Sequence, residues 1–171
     1  MARITARIGI VTVGALLASL LASGTVSAAA PIISKVQSWT LVIPAGVNCD
    51  FAVEWDVTAG NTTNQIVFER SNGDILIRQA GRQLVTVTNL DTEESITLRG
   101  GFRTDFLLHP DGTADFTLAG TVLVGFFPTD VGGPGQLFIR GLARITGDAD
   151  FNFFSFDLSG RSTDVCAALS A

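Results

Sequence analysis

Asp115-Phe116-Thr117-Leu118-Ala119-Gly120-Thr121-Val122-Leu123-Val124-Gly125-Phe126 is the stretch that decides the fold class. Phe116, Leu118, Gly120, Val122, Val124 and Phe126 fall on alternate positions, with Asp115, Thr117, Ala119 and Thr121 between them. Successive side chains of an extended chain point to opposite faces, so this spacing gathers the apolar groups on one side of a pleated strand. A helix would scatter them around its axis. Thr, Val and Phe, which suit a half-buried pleat, make up much of the run.

The same period recurs outward in both directions. Leu137, Ile139, Gly141, Ala143 and Ile145 alternate with Gln136, Arg140, Arg144 and Thr146. Phe51, Val53, Trp55 and Val57 alternate with Asp50, Glu54, Asp56 and Thr58. Beyond the N-terminal segment, no stretch keeps an apolar 3.6-residue period for three turns. Asn72-Gly73-Asp74 is a strong hairpin signal, and Ala80-Gly81, Asp91-Thr92, Pro110-Asp111-Gly112 and Gly147-Asp148 read as further reversals. The pattern predicts strands near 36–43, 50–58, 64–70, 74–79, 83–90, 94–108, 114–126, 136–146 and 150–159, with one helical turn in Ser162–Leu169.

These elements predict a single all-β domain over residues 29–171. Its expected form is one antiparallel β-barrel of about 8–9 strands, with a β-sandwich as the alternative. Gly100-Gly101, Gly120 and Gly141 favour the barrel, because mid-strand glycine permits the sharp bend and close approach that closure needs. An outer-membrane barrel shares the alternation, but these strands are too uneven to give every outer face an apolar belt. The segment Phe127–Gly135, rich in Pro and Gly, is expected to be either a lid or a plain connection.

Residues 1–28 read as an address. Arg3 and Arg7 precede an apolar run from Ile8 to Leu21, shorter than the ~20 residues of a bilayer span, and Val26-Ser27-Ala28 fits a signal-peptidase site. Export with cleavage after Ala28 follows, leaving a secreted chain with no integral membrane span. The segment carries two of the 11 basic residues and none of the 16 acids, so its loss takes the net charge from −5 to −7. That balance argues against nucleic acid as a partner held by a basic surface. Cys49 and Cys166, the only two cysteines, are expected to pair in an oxidising compartment.

Chemistry is sparse. One His and two Cys do not make an ordinary zinc site, and no metal or cofactor motif is present. His109 has Asp105 and Asp111 near in sequence but no Gly-x-Ser-x-Gly nucleophile elbow, and reads as a loop histidine. Glu54 and Asp56 share a strand face roughly 7 Å apart, a spacing that suits paired acids only inside a cleft. An outward polar face explains them more simply. Asp148-Ala149-Asp150-Phe151-Asn152 has calcium-loop oxygen spacing, but Phe153 stands where the required Gly would be and Ser159 where the Glu would be. Phe151, Phe153, Phe154 and Phe156 crowd one strand, so both of its faces carry rings.

Asn48-Cys49-Asp50-Phe51, Gly81-Arg82 leading into Val85-Thr86-Val87-Thr88-Asn89-Leu90-Asp91-Thr92, Asp111-Gly112-Thr113, Gly160-Arg161 and Asp164-Val165-Cys166-Ala167-Ala168-Leu169 together carry a resemblance. The chain resembles a group of small exported actinobacterial proteins with no assigned activity. The resemblance implies an exported, disulfide-closed β domain and brings over no catalytic residue. Three functions remain open. The first is a binding protein for a small apolar ligand, lined by Trp55, Phe151 and Phe153. The second is a structural or interaction protein presenting a Phe-rich face. The third is an enzyme using Glu54, Asp56 or His109.

Overall fold

The computed structural model describes residues 30–60 and 64–170; the expected signal segment lies outside them, as does Asn61-Thr62-Thr63, which has the Asn-x-Ser/Thr pattern of a glycosylation acceptor. The described chain forms β1 (Ile32–Lys35), β2 (Trp39–Ile43), β3 (Val53–Ala59), β4 (Asn64–Glu69), β5 (Ile75–Asn89), β6 (Ser95–Leu108), β7 (Thr113–Phe126), β8 (Gly135–Asp148), β9 (Phe153–Asp164) and the turn α1 (Val165–Ala168). All nine strands join one antiparallel sheet.

Two expected boundaries move. Ala80-Gly81 is not a reversal: β5 runs through it, pairing with β4 over its first half and with β3 over its second. Gly81 bends the strand instead, and the Gly60 N–H reaches the Arg82 carbonyl at 2.8 Å to carry the pairing across the gap between β3 and β4. The predicted strand at 36–43 is shortened to β2, lying on β3, and β1, which the pattern did not mark, precedes it and lies on β4. The sheet is therefore a sequential meander of long, interrupted strands, as short connections favour.

The sheet does not close into the expected barrel. Among the described residues β9 pairs only with β8, and β1 pairs only with β4. The strands bend instead. Gly120 lies across from Gly141, which lies across from Gly160, and Phe102, next to Gly101, lies across from both Gly81 and Gly120. This aligned row is a crease. A Cβ on Gly120 would run into the Gly101 carbonyl, and one on Gly141 into the Ser159 carbonyl, so only glycine fits there. Ring contacts prove the bend. Phe153 lies 5.5 Å from Phe116 and 5.9 Å from Phe126, both on β7, whereas ten residues of straight strand span about 33 Å.

Folding each strand on itself buries one cluster between its halves: Phe102, Phe116, Leu118, Val122, Val124, Phe126, Ile139 and Ile145, with Phe106, Phe151, Phe153 and Phe156 against it. A second cluster covers the opposite face of the β7–β8 hairpin. There Leu123 and Phe138 meet Val53, Val57, Val85 and Val87, closed by Val165 and Leu169 beside α1. Beyond Gly101, β6 leaves β7, because their pairing covers only Phe102–Leu108. That separation lets the β3–β5–β6 end lie over the back of β7 and β8.

The Cys49–Cys166 disulfide fastens this cover, with Cα atoms 5.4 Å apart at a sequence separation of 117. Asp164 caps α1 by accepting from the Ala167 N–H at 2.9 Å, and the Asn89 side chain donates to the Leu169 carbonyl at 3.0 Å. Segment Phe127–Gly135 is the β7–β8 connection and is pinned. Asp130, 6% exposed, accepts from the N–H of Phe127 at 2.6 Å and of Phe153 at 2.9 Å. No helix among the described residues is long and apolar enough to cross a membrane.

Candidate functional site

The three residues expected to line a ligand site fall in different places. Trp55 lies in the second cluster, where its indole N–H donates to the Gln136 side-chain carbonyl at 3.1 Å. Its ring edge covers Gly125, where a Cβ would sit only 2.8 Å from Cη2. Trp39 flanks it at 6.3 Å and stays 43% exposed. Asn48, next to the disulfide, donates to the Phe126 carbonyl at 2.6 Å. Trp55 and Asn48 thus tie the covering strands to the hairpin beneath.

Phe151 and Phe153 come together in the other cluster, 5.3 and 5.5 Å from Phe116. Phe156 completes this group against Phe126 at 5.1 Å. Of the four rings crowding the last strand, only Phe154 faces outward, at 60% exposure. The space between the β5–β6 cover and the back of the β7–β8 hairpin, lined by Val85, Leu98, Thr121, Leu123 and Phe138, has no room for a water-sized sphere. The interior there is packed with side chains.

The carboxylates sort simply. Glu54 pairs across from Val42 and Thr88, and Asp56 from Thr40 and Thr86, on the face of β3 turned away from Val53 and Val57. Asp148 uses both oxygens to close the β8–β9 turn, accepting from the N–H of Asp150 and Asn152 and from the Asn152 side chain. Among the described residues no group of three His, Cys, Asp or Glu side chains could hold a metal ion.

His109 is better connected than its sequence neighbours indicated. Its Nδ1 lies 3.0 Å from Asp74 and its Nε2 3.3 Å from Asp115. Asp105 faces Arg78 and Arg103 instead, and Asp111 caps its own turn through Thr113. The partners follow from the ladder: Ile75 pairs with Leu108 and Leu107 with Asp115, so the β4–β5 and β6–β7 turns share one end of the sheet. Hydrogen bonds to Asp74 and then Asp115 raise the His109 pKa, outweighing desolvation, while Asn72 and His109 lower that of Asp74. An imidazole between two carboxylates has its charged form favoured, and in this position it ties two turns together. At Asp105 burial pushes the pKa up, but the hydrogen bonds and charges of Arg78 and Arg103 together hold it at about 2.

Beside this cluster the β4–β5 hairpin forms an open groove of about 630 Å³ lined by Phe68, Arg70, Ser71, Asn72, Leu76 and Arg78, with Glu69 at its rim. Its volume falls in the range of small-molecule sites. The chain matches no protein-family model, no curated protein and no solved structure.

Proposed function

We propose that this chain is an exported, disulfide-fastened interaction protein that engages another molecule on its outer surface. The observation that carries the reading is the filled interior: the phenylalanines expected to line a cavity pack against one another, and the space beneath the β3–β5–β6 cover excludes water. The finer architecture we read is a rolled sheet that behaves as a filled barrel. The ring contacts of Phe126 and the Asp130 latch would close it in place of a ladder. Export supports the disulfide and is supported by it, since such bridges persist in oxidising compartments. The Arg3–Ala28 leader and the resemblance to exported actinobacterial β-domain proteins point the same way.

A second reading keeps the small apolar ligand but moves it outside, to the groove floored by Phe68 and Leu76. Intact mass of the protein from its host's culture medium, native against denatured, separates the two. A mass increment matching a protein or polymer supports surface engagement. A discrete increment of a few hundred daltons, lost in a Leu76→Glu variant, supports the groove ligand. The denatured mass also reports the expected cleavage after Ala28.

A further inference from the structure

The arginines are not spread evenly. Arg82, Arg103, Arg140, Arg144 and Arg161 are all exposed and all lie within three residues of a crease glycine. They sit at alternate positions to Val85, Phe102, Ile139, Ala143 and Leu158, so they share the outer, convex face. The ladder makes that face continuous from β5 to β9: Arg82 lies across from Gly101, Arg103 from Ala119, Ala119 from Leu142, and Leu142 from Ser159. Most acids instead stand in the turns at strand ends, such as Asp91, Glu93, Glu94, Asp111, Asp148 and Asp150. From Gly120 to Asp111 is nine residues, and from Gly141 to Asp148 seven, roughly 23–30 Å of strand. The Debye length at physiological salt is about 8 Å, so the turn acids do not cancel the crease. On the same face Asp105 lies beside Arg103, and Asp115 and Asp157 lie beside Arg144, so the uncancelled charge of this positive band is centred on Arg140 and Arg161.

The band centres on β8 and β9. Arg140 lies directly across from Arg161, an arrangement of like charges that destabilises a sheet. Asp157 lies across from Arg144. Among the described residues none of these four side chains makes a hydrogen bond or ion pair, whereas Arg78 and Arg103 share Asp105. The forks of Arg140 and Arg161, side by side with no carboxylate across from them, suit phosphate oxygens, which they can bind in bidentate fashion, and Arg144, in register with Asp157, flanks them. The convex face and the width of the band suit a strand laid across it better than a flat surface.

We propose that Arg140, Arg144 and Arg161 bind a linear phosphate polymer laid across the crease. The inference rests on the outer-surface reading above and names its partner class. The test is titration of the disulfide-bonded exported chain with inorganic polyphosphate, with single-stranded oligothymidylate, and with vesicles containing an anionic phospholipid. The expected result is polyphosphate binding that weakens with salt at a log–log slope near −2, about 0.7 for each of three phosphates neutralised. Oligothymidylate binding alongside it widens the source of the polymer and keeps the site. Arg140→Gln/Arg161→Gln is expected to lose at least about tenfold in affinity with a thermal midpoint that is equal or higher, since the change removes a like-charge pair between exposed side chains. Lys35→Gln, on β1 at the sheet edge away from β8 and β9, is expected to bind normally. Binding to vesicles alone, salt-independent binding, or equal loss in Lys35→Gln would overturn the proposal. If the polymers fail while the protein from culture medium still carries a protein partner, this inference falls and surface engagement stands. A bare chain in that measurement removes both.

Discussion

The β7–β8 hairpin carries the same chemistry on its inner face at both ends and opposite chemistry on its outer face. Before Gly120 and after Gly141 the outer positions are Asp115, Thr117, Arg144 and Thr146, which meet solvent. Beyond the crease they are Leu123, Gly125, Gln136 and Phe138, buried under the β3–β5–β6 end of the sheet. One pair of strands is thus a surface at one end and a middle layer at the other. The crease makes this possible, because a straight strand could not present one end to water and slide the other beneath its own sheet. Alternation reports a half-buried strand, and its local failure reports a strand covered on both sides.

The most damaging change to this arrangement is at the crease itself. Gly120→Val or Gly141→Val places a side chain inside a neighbouring carbonyl, at backbone φ of 93° and 148°. We expect a loss of at least about 3 kcal/mol and no folded monomer, read by chemical denaturation and by soluble yield. Next comes the cover. Reducing the disulfide, or replacing both cysteines with Ala, releases a constraint across 117 residues. The chain-entropy model gives an upper value of about 4–5 kcal/mol for such a loop. Crease and cover can then be told apart by the Phe153 amide, expected to keep its hydrogen-exchange protection in the reduced chain through its bond to Asp130.

The comparison between the two ends is sharpest in a matched pair of substitutions. Phe138→Ala, at 3% exposure, empties the middle layer and is expected to cost about 3–5 kcal/mol. Arg144→Ala, at an even position of the same strand but past the crease, is expected to stay within about 0.5 kcal/mol. Similar costs at both sites would mean that the far half is covered as well. Trp55→Phe tests the seal at smaller scale. It leaves the fully buried Gln136 without the indole N–H at its carbonyl, a loss of about 1–3 kcal/mol measurable in denaturant.

Much of this was legible in the sequence, and the gaps have physical causes. Period-two alternation located the sheet, the two cysteines gave the bridge, and Gly120 and Gly141 marked the bends. Gly81 was misread as a turn because a glycine that bends a strand and one that reverses it look alike locally. What separates them is the partner strand, here Phe102 and Gly101 continuing opposite. The doubly covered half left a trace in the unbroken runs Val122-Leu123-Val124 and Leu137-Phe138-Ile139, where alternation lapses. What no local pattern carries is which segment supplies the cover. The sign of the surface was hidden for a related reason: net charge sums over the chain, whereas binding depends on where the strands put each charge.

The smallest effect concerns the end of the sheet where His109 joins two turns, and its sign can be worked out. The His109 pKa is raised above 6.5 in the folded chain by Asp74 and Asp115, so its contribution is fully present below 6.5 and is lost as pH rises through the folded value. Asp74 is lowered from 3.8, so its contribution is present above that value and is lost as pH falls through the folded pKa. Both hold between these limits, which places this end's greatest stability in mildly acid solution. The thermal midpoint is expected to decline on going from pH 6 to pH 8.5 in the parent chain and to change less in His109→Gln, which has no imidazolium to lose. A midpoint that rises over that range in the parent, or falls equally in both, would place the two-turn clasp among contacts that do not depend on the charge of His109. Because Phe138 lies on the other side of the crease from the clasp, the same pH change should leave the cost of Phe138→Ala intact, whereas Arg144, diagonal to Asp115 on the same face, is the arginine placed to feel it.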